Sequence, residues 1–500
     1  MKLISARCIL IVIVVVLYAD YTTIAQNRAN KWMIGYNYGN YPDNGLDFSN
    51  DSLLLFTVER NMQFFLTDAS ICDTSGELLF YTNGIYIANR NHDSLLNTHD
   101  FNSGWGTDFY GEFGLGIAQG VIIIPIPAKS NKYFLFYETV EPILLDIGYD
   151  YQPLELRYSI IDMSLDSGLG AIDPSNKKKT LMVDTLTRGR LTTCKHANGR
   201  DWWLISHKYR SNIYYKFLIT PDTILGPYTQ QIGIVTSNYD GFGSARFSPD
   251  GSKYVWMENR DTLNFFDFDR CTGELSNPVM TITPAGDYVT TGSAISSNST
   301  YFYVGSLFGV FQYDLLSVDI PNSVVQVAQY DTTQLGLWFS QMQLAPDGKI
   351  YIATYNGSKY LHVINEPDSF GLACNVVQSQ EMMPSWNISS MPNFPNYDLG
   401  PLQGSPCDTL YLGSNEHFIN GHSFRISPNP ASDWFNIVYE TDDDISFVIT
   451  DGYGREVKRL TLYPWFKNRI VYVDDLLTGV YLLTLSSLSW KQTMKLIVAK

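Results

Sequence analysis

The chain has 500 residues, 45% of them hydrophobic and 17% charged, with a formal net charge of −16. Such a composition excludes a disordered chain and leaves room for more than one core. The acidic balance excludes binding to a phosphate backbone, which needs clustered Lys and Arg, so no nucleic-acid partner is expected. The aromatic content (Tyr 34, Phe 27, Trp 10) favours strands, where rings pack across a pleated surface.

The first residues have the order of an export leader. Lys2 and Arg7 supply positive charge, Cys8 to Ala19 form a 12-residue apolar run, and Thr23-Ile24-Ala25 offers small residues for cleavage. The run is short of the roughly 20 residues that cross a bilayer. A signal peptide over 1–25 is expected, with no transmembrane segment in the mature chain. Five cysteines follow it: Cys72, Cys194, Cys271, Cys374 and Cys407. They are too sparse for a disulfide scaffold and include no Cys-x-x-Cys. The seven histidines include no His-Glu-x-x-His, so neither a metal nor a cofactor is expected.

From about residue 26 to 405 a weak repeat runs through the chain. Six segments pair a tight turn with an aromatic strand: "SGELLFYT" from Ser75, "SNKYFLFY" from Ser130, "NGRDWWLI" from Asn198, "DGSKYVWM" from Asp250, "NSTYFYVG" from Asn298 and "DGKIYIAT" from Asp347. Asp-Gly and Asn-Gly supply the left-handed dihedrals of hairpin turns. The last four segments are spaced by 52, 48 and 49 residues, the earlier ones by 55 and 68, which implies insertions there. A period near 50 with several short strands is the pattern of a β-propeller. Small residues before the turns (Ser244, Ala245, Ser293, Ala294) suit inner strands that converge on an axis. The length favours seven blades, while six visible turns keep six open. Closure is expected where "WMIGYNYG" meets strands near "PNFPNYDLG" at 392–400. Cys374 and Cys407 flank that closure, and a disulfide between them would need Cα atoms within about 7 Å.

Catalytic patterns are mostly missing. Gly243-Ser244 is followed by Ala245-Arg246-Phe247, so no Gly-x-Ser-x-Gly elbow exists. "GLGIAQG" at 114–120 leads into the apolar "VIIIPIP", not into a phosphate-binding helix. Asp267 and Asp269 lie two apart, but the Gly and Glu of an EF-hand are misplaced, so a strand end is the simpler reading. Trp202 and Trp203 follow a turn, where alternation puts one inward and one outward; His196 beside them has no catalytic partner in view. Any ligand is expected on the face from which the chain runs into the inner strands, called the top face below. Tyr239, Phe242, Trp338 and Phe339 precede inner strands there, and His207, Tyr209 and Arg260 follow second strands. Aromatic and Arg side chains are the types enriched at binding hot spots, whereas the opposite face carries compact turns.

A polar stretch, expected as a linker over 406–425, precedes "ISPNPASDWF", where two prolines bar a helix and open an extended run. "ISFVITDGYGREVKRLTLY", "NRIVYVDDLLTGVYLLTLSS" and "KQTMKLIVAK" then read as strands of a small immunoglobulin-like β-sandwich over 426–500.

Two resemblances follow from these residues. "DTSGELLFYTNGIYIANRNH", "CKHANGRDWWLISHK", "FSPDGSKYVW" and "FFDFDRCTGELSNP" resemble exported Bacteroidetes proteins with a WD40-like propeller. The C-terminal run resembles the type A sorting domain of the type IX secretion system. It does so through Pro428-Asn429-Pro430, Asp451-Gly452, Gly479-Val480-Tyr481-Leu482 and Lys495-Leu496-Ile497-Val498, with Ser427 where Tyr is usual. The resemblance implies handling by the type IX machinery, passage through the periplasm, and release or attachment at the cell surface. Together these readings point to an exported, non-enzymatic propeller that binds an extracellular protein or glycan. The alternative is a secreted propeller hydrolase or lyase acting on glycans, which needs two carboxylates roughly 5–10 Å apart around a cleft.

Overall fold

A computed structural model describes residues 27–36, 42–50, 52–145, 148–236, 243–258, 260–286, 289–407, 423–427, 429–441, 443–464, 468–487 and 490–500. The expected leader, most of the expected linker, Tyr239, Phe242 and Pro428 lie outside them.

Among the described residues of 31–387 seven antiparallel blade sheets follow one another along the chain, with one further two-stranded hairpin inserted in the third. We number them as blades 1 (31–58), 2 (69–89), 3 (121–183), 4 (192–231), 5 (244–282), 6 (289–329) and 7 (339–387). Blades 4 to 7 have four strands each in simple up-and-down order, and blades 1 and 2 have three. Every one of the six predicted turns joins the first and second strands of its blade; Asp250-Gly251, for example, links Ser244–Phe247 to Lys253–Met257.

Apolar clusters tie each blade to the next and close the circle. One joins Met33 of blade 1 to Tyr81 of blade 2, and a larger one joins Phe80, Phe136 and Trp202 of blades 2, 3 and 4. Trp203 meets Trp256 between blades 4 and 5, Phe265 meets Phe302 between 5 and 6, and Tyr303 meets Ile352 between 6 and 7. Trp32 and Leu46 of blade 1 pack with Tyr351 and Val363 of blade 7. The ring is a closed seven-bladed β-propeller without exposed first and last edges at the seam. Trp202 and Trp203 are both buried, against the expected alternation, because each face of a blade is covered by a neighbour. Truncating a side chain of this kind costs roughly 3–5 kcal/mol.

The seam differs in detail from the expected pairing. Tyr36 bridges Trp386, and Asn44 both donates to Trp386 O (3.1 Å) and accepts from Ser385 N (2.7 Å). Residues 392–400 form no strand; Pro392 and Pro395 remove ladder donors. Instead this segment runs down the axial channel as a plug. At the top, Ser340 Oγ donates to Ser389 Oγ (2.9 Å) and Ser390 Oγ to Asp68 Oδ2 (2.9 Å). Midway, Asn393 Nδ2 donates to Val121 O (2.9 Å) and Leu191 O (3.1 Å), and Tyr397 OH to Ile123 O (2.8 Å). At the bottom, Asn396 Nδ2 donates to Pro249 O, Arg270 to Gly400 O, and Leu402 N to Ala197 O. Gly199 has φ +72°, and a Cβ there would come within 2.6 Å of Pro401 N, so the plug's exit needs a glycine turn beside it.

A disulfide fixes that exit, but not the expected one. Cys407 pairs with Cys271 of the bottom loop in blade 5, with Cα atoms 5.6 Å apart. Cys374 is a free, fully buried thiol packed among Ile350, Ile352 and Ile364 of blade 7. Crossing the channel carries Cys407 away from blade 7 and over to blade 5, which separates it from Cys374.

The C-terminal strands form two sheets around their own core of Phe435, Ile437, Phe447, Leu483 and Leu496. Ser423–Ser427, Trp434–Glu440 and Asn468–Tyr472 make one sheet; Glu456–Leu462, Ile445–Thr450, Gly479–Ser486 and Lys491–Val498 make the other. Asn429 joins two sequence motifs: its Nδ2 donates to Lys495 O (2.9 Å) and its Oδ1 accepts from Ile497 N (2.8 Å). Gly479 pairs with Val498 and Tyr481 with Leu496, and Tyr481 OH caps Leu477 O (2.9 Å).

Candidate binding surface on the top face

The long intervals early in the chain are occupied by additions to the top of blades 2 and 3. A short helix α1, Trp105–Tyr110, follows blade 2, and a hairpin of Glu141–Leu145 and Gly148–Gln152 extends blade 3. Gly106 N donates to Val140 O (2.9 Å), and Asn83 anchors the return, donating to Gln63 O (2.9 Å) while its carbonyl accepts from Leu115 N (3.0 Å). Trp105 and Phe109 lie one helical turn apart, so their rings share a face. They stack at 4.6 Å and 15°, and Tyr151 stacks on Trp105 at 4.5 Å and 6° while lying 6.4 Å from Phe109. This three-ring shelf borders a cavity of about 420 Å³ walled by Tyr36, Phe64, Phe65, Tyr110, Phe113 and Ile388. Phe109 and Phe113 are 63% and 52% exposed, a large apolar surface to leave in water.

A polar network flanks the shelf. Asp150, next to Tyr151, pairs with Arg188 (3.0 Å) and accepts from Gln152 Nε2 (2.8 Å) and Tyr209 OH (3.0 Å). Burial pushes the Asp150 carboxyl up. The Gln152 hydrogen bond, the Arg188 charge and the Tyr151 and Tyr209 donors outweigh it and hold the group below its ordinary value. The Asp150 carboxylate is therefore ionised at neutral pH, facing the Arg188 guanidinium.

Of the sequence-predicted residues, Tyr209 joins this surface through Asp150. Trp338 is half-buried at the top of blade 7, between Tyr330 and Tyr355, and Arg260 is exposed at the top of blade 5. Phe339 and His207 are fully buried and cannot meet a ligand. Phe339 packs 4.7 Å from His362. His207 stacks on Tyr214 and accepts from Arg190 Nη1 (2.7 Å); burial, then the Arg190 charge, pull its imidazole well below its ordinary value. Both are core residues because top positions of a blade still lie between two neighbours. His196 is likewise structural, its Nε2 donating to Cys271 O (3.0 Å) and its Nδ1 accepting from Asn198 N (3.1 Å). The shelf itself escaped the sequence reading, although "GWGTDFYGEF" at 104–113 sits inside an interval already marked as an insertion.

Comparison with known proteins gives three results. Residues 425–499 match the secretion system C-terminal sorting domain. No curated protein shows significant sequence similarity to the chain. Solved structures similar in fold include the periplasmic gluconolactonase of Pseudomonas aeruginosa, at 12% identity over 72% of this chain and 99% of that one, with a TM-score of 0.40. A protein from Lactobacillus plantarum aligns at 12% identity over 89% and 99%, TM-score 0.35. A β-propeller domain from Myceliophteria thermophila aligns at 10% over 76% and 100%, TM-score 0.29. Among the described residues no helix is long and apolar enough to cross a membrane. The chain is an exported β-propeller that carries a type IX C-terminal sorting domain and is delivered to the cell surface or the medium.

Proposed function

We propose that the mature protein is a non-enzymatic binding module, delimited as a propeller to about 405 and a sorting domain from 426, and that it contacts an extracellular partner through its top face. The observation that carries this reading is the Tyr151–Trp105–Phe109 cluster beside an open aromatic cavity, while the chain's own residues 389–399 block the axial channel from the top face. An exposed ring such as that of Phe109 suits the C–H face of a sugar or an apolar side chain, and the ionised Asp150–Arg188 pair supplies orientation at the margin. The carboxylate that the plug reaches, Asp68, is engaged by Ser390 and lies at the seam of the plug, not in a cleft. Sorting and binding are thus assigned to opposite ends of the chain. A glycan array probed with the mature protein and with Trp105→Ala/Phe109→Ala tests the binding half. Binding lost in the double variant supports it, and turnover of a bound glycan by the wild type would replace it with the hydrolase or lyase reading.

A further inference from the structure

The plug does not seal the bottom of the axial channel. A cavity of about 490 Å³ remains there, enclosed by residues 27–30 before blade 1, the inner strands of blades 5 to 7, and plug residues Phe394 to Asp398. That size falls within the range of small-ligand sites, roughly 300–1,000 Å³. Its charged lining is Arg28, Arg246 and Asp398: two cations against one carboxylate, in a chain whose net charge is −16.

Arg246 comes from the inner strand of blade 5 and reaches across to blades 6 and 7. Its Nε donates to Ser293 O (3.1 Å), Nη1 to Gln343 Oε1 (3.0 Å) and Nη2 to Met342 O (2.8 Å). All three acceptors are neutral, and among the described residues no carboxylate pairs with this guanidinium. A guanidinium has five N–H donors, so one remains on each terminal nitrogen. Removing a cation from water without a counter-charge is expensive, and burial accordingly pulls this group down to about 10. An arriving anion would relieve that imbalance, and two N–H groups on a planar fork match a carboxylate bidentately. Around the fork the walls are mixed: the rings of Phe48, Phe247 and Phe394 supply an apolar side, Asn30 and Gln343 a polar one, while Asn396 and Ser297 stand at the exposed rim.

We propose that this cavity is a binding site for a small carboxylate with a ring-sized body, such as a hexuronic acid, its carboxylate held by Arg246 and its body against the phenylalanines. The site opens on the face opposite the aromatic shelf, so its failure and that of the shelf are separately visible. The test is calorimetric titration of the full mature chain with galacturonate, galactose and inorganic phosphate. Galacturonate is expected to bind one per chain and at least about tenfold tighter than galactose, the loss typical of an unmatched charged pair. Arg246→Gln should lower galacturonate affinity by a similar factor, Val318→Ala, at an exposed position outside the cavity lining, should leave it unchanged, and Pro346→Glu should weaken it several-fold by placing a negative charge on the exposed rim. Should Arg246→Gln fail to fold, the Pro346→Glu variant and the galactose comparison decide. The proposal is overturned if galacturonate shows no binding or binds no better than galactose. It is equally overturned if phosphate binds where galacturonate does not, or if a folded Arg246→Gln protein keeps the wild-type affinity.

Discussion

Replacing Asn393 by Ala should unlock the ring from its centre. Asn393 is 3% exposed and sits where the plug crosses between blades 2, 3 and 4. Its amide donates to Val121 O and Leu191 O, and its Oδ1 accepts from Gln119 Nε2 at 3.1 Å. Gln119 keeps a second acceptor, Ala245 O at 2.9 Å, so its loss is partial. The two carbonyls lose buried donors. At about 1 kcal/mol per neutral hydrogen bond and more for a group left dry, the substitution should cost about 3–4 kcal/mol. An unfolding entropy of about 2.1 cal/mol/K per residue over roughly 380 residues is about 0.8 kcal/mol/K, so the melting temperature should fall by about 4–5 °C. Asn393→Asp should fall further, because a carboxylate would face the same two carbonyls with no proton to offer. Differential scanning calorimetry of the mature chain reads both. A shift below about 1 °C for Asn393→Ala would refute the view that the plug is an integral part of the ring.

Deleting residues 426–500 should leave the propeller in the periplasm, read by fractionation; normal appearance at the surface or in the medium would contradict the sorting role. Cys271→Ser and Cys407→Ser should destabilise equally, by up to about 5 kcal/mol for a loop of this length, while Cys374→Ser opens no bridge. Ellman titration of the denatured, unreduced mature protein should count the three thiols of Cys72, Cys194 and Cys374. His362 gives a pH test. Its Nε2 donates to Leu337 O (3.0 Å) and its Nδ1 accepts from Ser379 N (2.9 Å), so a proton on Nδ1 would oppose another N–H. Burial holds it at about 4, below the unfolded value, so the folded state binds fewer protons as pH drops. Stability contributed by the neutral ring is complete above about 6.5 and declines as pH falls towards 4, by roughly 3 kcal/mol in all. Urea titrations at pH 7 and 4.5 should show that slope flattened in His362→Asn.

The propeller was legible because its turns are local. Asp250-Gly251 and Asp347-Gly348 need left-handed dihedrals whatever surrounds them, and their spacing reports the blade period. Asn429, Gly479, Tyr481 and Lys495 were legible for the same reason, as short motifs in order. What failed depended on distant packing. Alternation along Trp202-Trp203 presumes one wet face, which a blade between two neighbours lacks. "PNFPNYDLG" has the aromatics of a strand, yet its two prolines send it into the channel, and that route alone brings Cys407 to Cys271 across 136 residues. The position of Phe339 and His207 at strand ends points to ligand contact on the top face, yet both are fully buried. Burial there is set by the adjoining blades, which no local pattern encodes. The shelf at Trp105, Phe109 and Tyr151 joins an insertion to a hairpin some 40 residues later, a pairing visible only once blades 2 and 3 stand side by side.

Binding at the top face is measured most directly by a glycan array with three mature proteins: wild type, Trp105→Ala/Phe109→Ala, and Arg246→Gln. Glycans should be captured by the wild type and lost by at least about tenfold with the double substitution, as expected for removal of aromatic hot-spot residues. Capture of neutral glycans should be unchanged by Arg246→Gln. Capture that survives loss of both rings, or that vanishes only with Arg246→Gln, would contradict top-face binding and move the binding function to the bottom of the channel.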